Sequence, residues 1–295
     1  MSEIPSIQWF PGHMTKTRRM MAANLKLVDL VLEITDARVP ASSRNPELDQ
    51  WLGKKPRMIL LNKMDAADPQ ATDRWIQYYR RKGVTAFACD CRSGRNLQKF
   101  LPALREELAP LIERRNSRGM TGRALRVMVV GIPNVGKSSF INRMILGGGA
   151  GKAAVQDRPG VTRQNRWFTV GKGFELLDTP GVLWPKFEDP IVGEHLAFTG
   201  AVRDEILDME SLAARLLELL MELYPNAINS RYKTDIRPEE HLPGHELLER
   251  VGRKRGMLIS GGEVNTERAA VTVLDEYRGG KLGRITLEPV GRPLA

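Results

Sequence analysis

Cysteine is almost missing from this chain: Cys89 and Cys91 are the only two, one residue apart. That spacing strains a direct bridge and no second pair completes a zinc set, so a disulfide framework and a structural zinc site are both excluded. The two thiols read as packing or loop residues in a reducing compartment. No apolar run reaches the roughly 18 residues of a membrane span. The opening MSEIPSIQWFPGHM has neither the basic-then-apolar order of a secretory signal nor the acid-free amphipathic character of a transit peptide, so a cytoplasmic protein is expected. Internal repeats and low-complexity tracts are also missing, which argues against a solenoid.

What is there is an ordinary globular composition with a basic excess. With 295 residues and 42% hydrophobic residues the chain can bury a substantial core in about two domains. Lys and Arg number 45 against 35 Asp and Glu, for a net charge of +10. Such a balance favours a polyanionic partner such as RNA; a solvated basic face kept for solubility is the plainer alternative.

Periodicity divides the chain. His13 to Asn24 reads as a helix with a Met/Ala face, and Val28 to Thr35 as a strand buried on both faces. A short helix near Glu47 to Leu52, a strand at Met58 to Leu61, a helix over Pro69 to Lys82, a strand at Val84 to Ala88 and one helix over Leu97 to Arg115 follow. The rhythm of strand, helix, strand means a mainly parallel sheet with helices on both faces, an α/β fold. Leu125 to Val130 resumes it, and Phe168 to Val170 with Phe174 to Leu177 reads as a hairpin around Gly171 to Gly173. Beyond Pro185 the strand signals fade; Glu210 to Leu223, Gly244 to Arg255 and Thr266 to Tyr277 are expected helices of an all-helical module. The expected division is an N-terminal arm and helix over 1–25, a sheet domain over 26–190 and a C-terminal helical domain over 191–295.

Two motifs carry chemistry. Gly131-Ile132-Pro133-Asn134-Val135-Gly136-Lys137-Ser138 fits G-x-x-x-x-G-K-[ST] between a buried strand and a helix over Ser139 to Ile145. Such a loop turns backbone N–H groups onto phosphates, with Val135, Gly136 and Ser139 lining it. Lys137 would bridge the β- and γ-oxygens and Ser138 would ligate Mg²⁺. Asp178-Thr179-Pro180-Gly181 ends the next strand, where Asp178 would hold Mg²⁺ through water and the Gly181 N–H would meet the γ-phosphate. Thr162, in PGVT, is the residue expected to close onto Mg²⁺ when the triphosphate is present.

The second motif is Asn62-Lys63-Met64-Asp65, directly after the strand MILL. Asp65 can accept from the N1–H and the amino group of guanine, Asn62 can reach the purine's other edge, and the Lys63 stem can cover the ring. Adenine would leave the carboxylate unpaired, so GTP and GDP are the expected ligands and ATP is disfavoured. Asp90-Cys91-Arg92 aligns weakly with a Ser-Ala-Lys-like base loop, in which the Cys91 N–H would meet the guanine oxygen; a plain strand-end loop is the alternative. Asn62 precedes Lys137 by 75 positions, the reverse of the usual order, so the motifs are circularly permuted. Binding survives because ligands of parallel sheets sit beyond the carboxyl ends of the strands in whatever order the chain visits them.

Trp9-Phe10-Pro11-Gly12-His13-Met14, Asp36-Ala37-Arg38-Val39-Pro40, NKMD, GIPNVGKSS, PGVT, DTPG and RGGKLGRITLE, in that order, resemble ribosome biogenesis GTPase A of the bacterial YlqF/RbgA type over nearly the whole chain. The resemblance implies a cytoplasmic GTPase that binds the immature large (50S) ribosomal subunit, assists its late assembly and is stimulated by it. It implies that the helical domain contacts ribosomal RNA, with Arg250, Arg253, Lys254 and Arg255 as candidate phosphate contacts or, alternatively, a solvated helix face. Val182 and Leu183 stand where a water-orienting Gln would be, and the resemblance points to His13 in its place. It also points to Asn134 as a residue that helps hold K⁺ beside the phosphates. His195, His241 and His245 show no ligand spacing and read as structural. Two other functions stay open: an RNA-binding scaffold gated by nucleotide, and a GTPase acting on another RNA such as tRNA.

Overall fold

The computed structural model describes residues 14–147, 155–156, 166–170, 173–179 and 189–291. The strongest apolar runs form its middle strands. β1 (Leu30–Asp36) is buried along its full length, and so is all of β2 (Arg57–Asn62) but its first residue. With β3 (Thr85–Ala88), β4 (Leu125–Val130), β5 (Val155–Gln156), β6 (Arg166–Val170) and β7 (Phe174–Asp178) they make a seven-stranded sheet in the order β3-β2-β1-β4-β7-β6-β5. Pairs from β3 to β7 are parallel, and β6 and β5 are added antiparallel. The register sets Asp36 beside Asn62 and Val129 beside Asp178, so the carboxyl ends of β1, β2, β4 and β7 share one margin.

Alternation along the strands sends side chains to opposite faces. Leu30, Leu32 and Ile34 of β1 meet Phe100 of α4 (Phe100–Glu107) and Phe140 of α6 (Lys137–Gly147). On the other face, Val31 and Met128 lie with Met21 and Leu25 of α1 (Met14–Leu25) and Leu48 of α2 (Pro46–Leu52); Ile59 and Leu61 lie with Trp75 and Tyr79 of α3 (Pro69–Arg81). The expected helix over Leu97 to Arg115 is corrected: a single 3₁₀ turn at Leu97–Lys99 precedes α4, and the chain breaks at Leu108 before α5 (Ala109–Asn116). Pro110 sits in the first turn of α5; it has no N–H for the carbonyl four residues back and crowds that carbonyl, so α4 cannot continue through it.

The second core belongs to α7 (Pro190–Phe198), α8 (Met209–Leu223), α9 (Pro225–Tyr232), α10 (Gly244–Lys254) and α11 (Thr266–Arg278). Leu212, Ala213, Leu216, Leu217 and Leu220 bury the apolar stripe of α8. Gly244 starts α10 so close to α8 that a Cβ there would stand 2.4 Å from the Ala214 carbonyl oxygen. After α11 the chain returns to the sheet. The Ile285 N–H donates to the Ala66 carbonyl at 2.9 Å, the Leu287 N–H to the Arg38 carbonyl at 2.8 Å, and the Trp75 indole N–H to the Glu288 carbonyl at 2.8 Å. Burying Ile285 and Leu287 contributes about 2 kcal/mol each.

The Glu288 carboxylate accepts the Ser42 N–H at 3.0 Å and lies 2.9 Å from Nδ1 of buried His195, a packing role for that histidine; His241 and His245 are exposed. Among the described residues no His, Cys, Asp and Glu cluster is built for a metal, and no helix is long and apolar enough to cross a membrane.

Candidate functional site

The phosphate loop leaves β4 through a backbone that demands glycine at two points. A Cβ on Gly131 would come within 2.5 Å of the Ile34 carbonyl oxygen, and one on Gly136 (φ 99°) within 2.2 Å of Asn62 Nδ2. At its end Lys137 opens α6, with Ser138 and Ser139 exposed beside it. The Lys137 ammonium donates to the carbonyls of Gly131 at 3.0 Å and Ile132 at 2.7 Å. Burial pushes its pKa down to about 8, opposed by the nearby Asp178 carboxylate.

Asp178 ends β7 beside Val129 of β4; burial pushes its carboxyl above the usual range, against the pull of Lys137 and Arg166. A half-buried carboxylate and an exposed serine hydroxyl at one strand margin are hard oxygen donors of the kind Mg²⁺ takes, and a cation there would relieve the burial of Asp178. The expected Thr162, Gly181 and His13 lie outside the described residues.

The base loop leaves β2 through Asn62, which is buried and uses both ends of its amide. Its Nδ2 donates to the Val135 carbonyl in the phosphate loop at 2.7 Å, and its Oδ1 accepts the Cys91 N–H at 2.9 Å. The Cys91 N–H, expected to meet the guanine oxygen, here donates to Asn62, and one Asn62 amide hydrogen remains for the purine. Asp90 accepts the Arg92 N–H at 2.8 Å and donates its own N–H to the Arg95 carbonyl at 3.0 Å, closing this segment into a tight turn. The thiols of Cys89 and Cys91 lie 3.4 Å apart and buried; the contact with Cys91, with burial, pushes the Cys89 thiol up, as in an inert packing pair.

Lys63 takes a left-handed backbone (φ 61°), and its ammonium sits 2.8 Å from Asp36 Oδ2. The Met64 N–H donates to the Cys89 carbonyl at 3.2 Å, and its sulfur lies 3.4 Å from the Asn96 amide. Asp65 stands exposed at the loop tip, and no hydrogen bond among the described residues occupies its carboxylate. Asn134 (φ 61°) donates from Nδ2 to the Gly200 carbonyl at 2.5 Å.

The motifs gave no sign that Asp36 and Arg38 brace the base loop through Lys63. Asp36 Oδ1 accepts the Arg38 N–H at 3.0 Å and its Nε–H at 2.9 Å, and Oδ2 accepts from Nη2 at 2.8 Å. Burial alone would raise this carboxyl; Arg38 and Lys63 hold it far below the usual range. The signal was the end of β1: in a parallel sheet the residue closing one strand stands beside the residue closing the next, here Asp36 beside Asn62.

Of the basic residues on α10, Arg250 pairs with Glu240 at 2.8 Å and Arg255 with Glu276 at 3.2 Å. Arg253 and Lys254 are exposed, and with Arg250 they line a cavity of about 270 Å³ together with Thr234, Asp235 and Ile236.

Residues 126–238 match the family model described as 50S ribosome-binding GTPase. Ribosome biogenesis GTPase A of Priestia megaterium is 46% identical over 286 residues, covering 96% of each chain. That of Bacillus cereus is 43% identical, covering 96% of this chain and 93% of its own. The GNP-bound structure of YlqF from Thermotoga maritima aligns with a TM-score of 0.62 at 26% identity, over 93% of this chain and 98% of that one. Likeness of this degree over nearly the full length, with a base loop that already touches the phosphate loop, makes the chain a member of the ribosome biogenesis GTPase A family, and thereby a GTP hydrolase.

Proposed function

We propose that this GTPase works in the cytoplasm on the immature large (50S) ribosomal subunit, binds its ribosomal RNA through the helical module, assists its late assembly, and is stimulated by it. The observation that carries the nucleotide part is the Asn62 amide, which ties the base loop to the phosphate loop. The partner is supported by the names of the relatives, by the +10 charge and by exposed Arg253 and Lys254, whose charges suit RNA phosphates.

At the base end, Asp65 reads the N1–H and amino group of guanine, Asn62 offers its remaining amide hydrogen to the purine, and the Lys63 stem covers the ring. Met64, Asp90 and Cys91 hold the loop in shape. Sites built around such hydrogen bonds reject analogues that lack the group by about 10⁴ or more.

At the phosphate end, the backbone from Asn134 to Ser139 cradles the phosphates, and Lys137 neutralises charge developing on the β- and γ-oxygens. Ser138 and, through water, Asp178 would hold Mg²⁺, which would supply Lewis-acid stabilisation; Thr162 would close onto it and the Gly181 N–H would meet the γ-phosphate. His13 positions the attacking water. Asn134, whose Nδ2 is held by the Gly200 carbonyl, would help hold K⁺ through its Oδ1. Hydrolysis is then faster in K⁺ than in Na⁺ at matched ionic strength, and equal rates would remove that role.

Co-sedimentation with ribosomal particles in a non-hydrolysable GTP analogue, in GDP and without nucleotide tests partner and switch together. The expected result is retention on immature large subunits with the analogue and release with GDP. Equal association in all three states, or preference for the small subunit, would overturn the proposal.

A further inference from the structure

Arg38 is almost completely buried between the two cores, with every side-chain nitrogen engaged. One edge of its guanidinium grips Asp36 through Nε and Nη2, and the opposite side sends Nη1 to the carbonyls of Tyr277 and Arg278, each at 3.1 Å. Those carbonyls close α11, where the helix ends in a partial negative charge; the Tyr277 carbonyl also accepts the Gly280 N–H at 3.0 Å. Arg38 adds two hydrogen bonds and a buried cation to that end. Its neighbour Val39 is buried in the helical core.

Asp36 is also the anchor of Lys63, so the guanine-covering lysine and the end of α11 are held by one carboxylate–guanidinium unit. That unit is stiff: a planar fork bound at two points cannot follow the carboxylate without moving against the carbonyls behind it. The rest of the base loop is gripped from the same side. Arg284 donates from Nη2 to the Met64 carbonyl and from Nε to the Ala67 carbonyl, each at 3.0 Å.

We propose that Asp36 and Arg38 are positioning residues for Lys63, and that through Arg38 guanine binding and the seating of α11 strengthen each other. The inference rests on the reading of Lys63 as a guanine contact. A ligand that fixes the Lys63 stem restrains its ammonium on Asp36, which holds the Arg38 fork square to the carbonyls of α11. Because coupling between two equilibria is reciprocal, a partner that holds α11 in place tightens guanine binding by the same factor. The helical module thus senses the purine, a signal separate from any that depends on the γ-phosphate.

The test is a cycle of GDP affinities, measured with a fluorescent GDP analogue on the full chain, for wild type, Arg38→Lys, Lys63→Met and the double variant. Lysine keeps a charge near Asp36 and loses the fork. The expected result is about tenfold weaker binding from Arg38→Lys on its own and less than about twofold further weakening when Lys63→Met is already present. Equal weakening in both backgrounds makes Arg38 a purely structural residue and overturns the proposal. An unchanged affinity in Lys63→Met would instead remove the lysine from the base site, and the inference with it.

Should Arg38→Lys not fold, amide exchange at Gly279 and Gly280 decides with wild type and Lys63→Met alone. Saturating GDP is expected to slow exchange there about fivefold or more in wild type and to leave it unchanged in Lys63→Met. Equal slowing in both, or none in wild type, overturns it.

Discussion

The two ends of the nucleotide site are built differently. At the base end Asn62, Lys63 and Met64 are each fixed by hydrogen bonds or an ion pair to Cys91, Asp36 and Cys89, and only Asp65 stands open. At the phosphate end Lys137 rests on carbonyls of its own loop with its charge weakened by burial, and Asp178 is similarly penalised. On the proposed reading guanine recognition is preorganised, whereas the groups assigned to phosphate would reach their working state only by exchanging partners. Preorganisation lowers the ordering cost of binding, so the base end suits affinity and selectivity and the phosphate end suits switching.

The largest test of that difference is Asp65→Asn. The amide reverses one hydrogen-bonding direction on an otherwise rigid loop, so preference should pass from guanine to xanthine nucleotides, changing the GTP/XTP affinity ratio by roughly 10⁴. Competition binding with both triphosphates measures it, and an unaltered preference for GTP contradicts the assignment.

Next is Gly136→Ala, which strikes where the two ends touch. Its Cβ would stand 2.2 Å from Asn62 Nδ2, so the amide must leave the Val135 carbonyl. Overpacking of this kind costs about 1–3 kcal/mol. Denaturant melts should show that loss, and GDP affinity should fall with it; an unchanged melt would mean the contact is soft.

The smallest effect is on pH and belongs to the phosphate end alone. Phosphates restore the Lys137 proton that burial weakens, so the complex binds more protons than the free protein above about pH 8 and affinity falls as pH rises through that value. GDP binding should be about tenfold weaker at pH 9 than at pH 7. Folding of the free protein responds with the opposite sign. The unfolded chain keeps this proton to about pH 10.5, so the lysine's contribution to stability rises between about pH 8 and 10.5. Calorimetric titration across pH in two buffers separates the two, and a flat affinity from pH 7 to 9 would show that Lys137 does not lie on the phosphates.

Much of this was legible in the residues. NKMD and GIPNVGKS each follow a buried strand, and carboxyl ends of parallel strands converge whatever their order, so the rotated site could be assembled on paper. What was hidden depends on contacts between distant parts of the chain. Arg38 and the Tyr277 carbonyl are 239 residues apart, and no local pattern pairs them. Asn62 carries a motif whose residue types announce base contact, while its bonds to Val135 and Cys91 appear only once the ends of β2, β3 and β4 share one sheet margin. The contacts of RGGKLGRITLE were hidden because its partners lie far back in the chain: Arg38 after β1, Ala66 after β2 and Trp75 on α3. The break at Leu108 was available from Pro110 and was masked by the strong apolar periodicity on either side.

The most direct test of the central claim, that loops 75 positions apart hold one molecule, is a crystal structure with GDP and Mg²⁺. The account predicts the Asp65 carboxylate on the N1–H and amino group of the base. It also predicts the Lys137 ammonium on a β-phosphate oxygen, released from Gly131 and Ile132. A base bound away from Asp65, or Lys137 still on those two carbonyls, would contradict it.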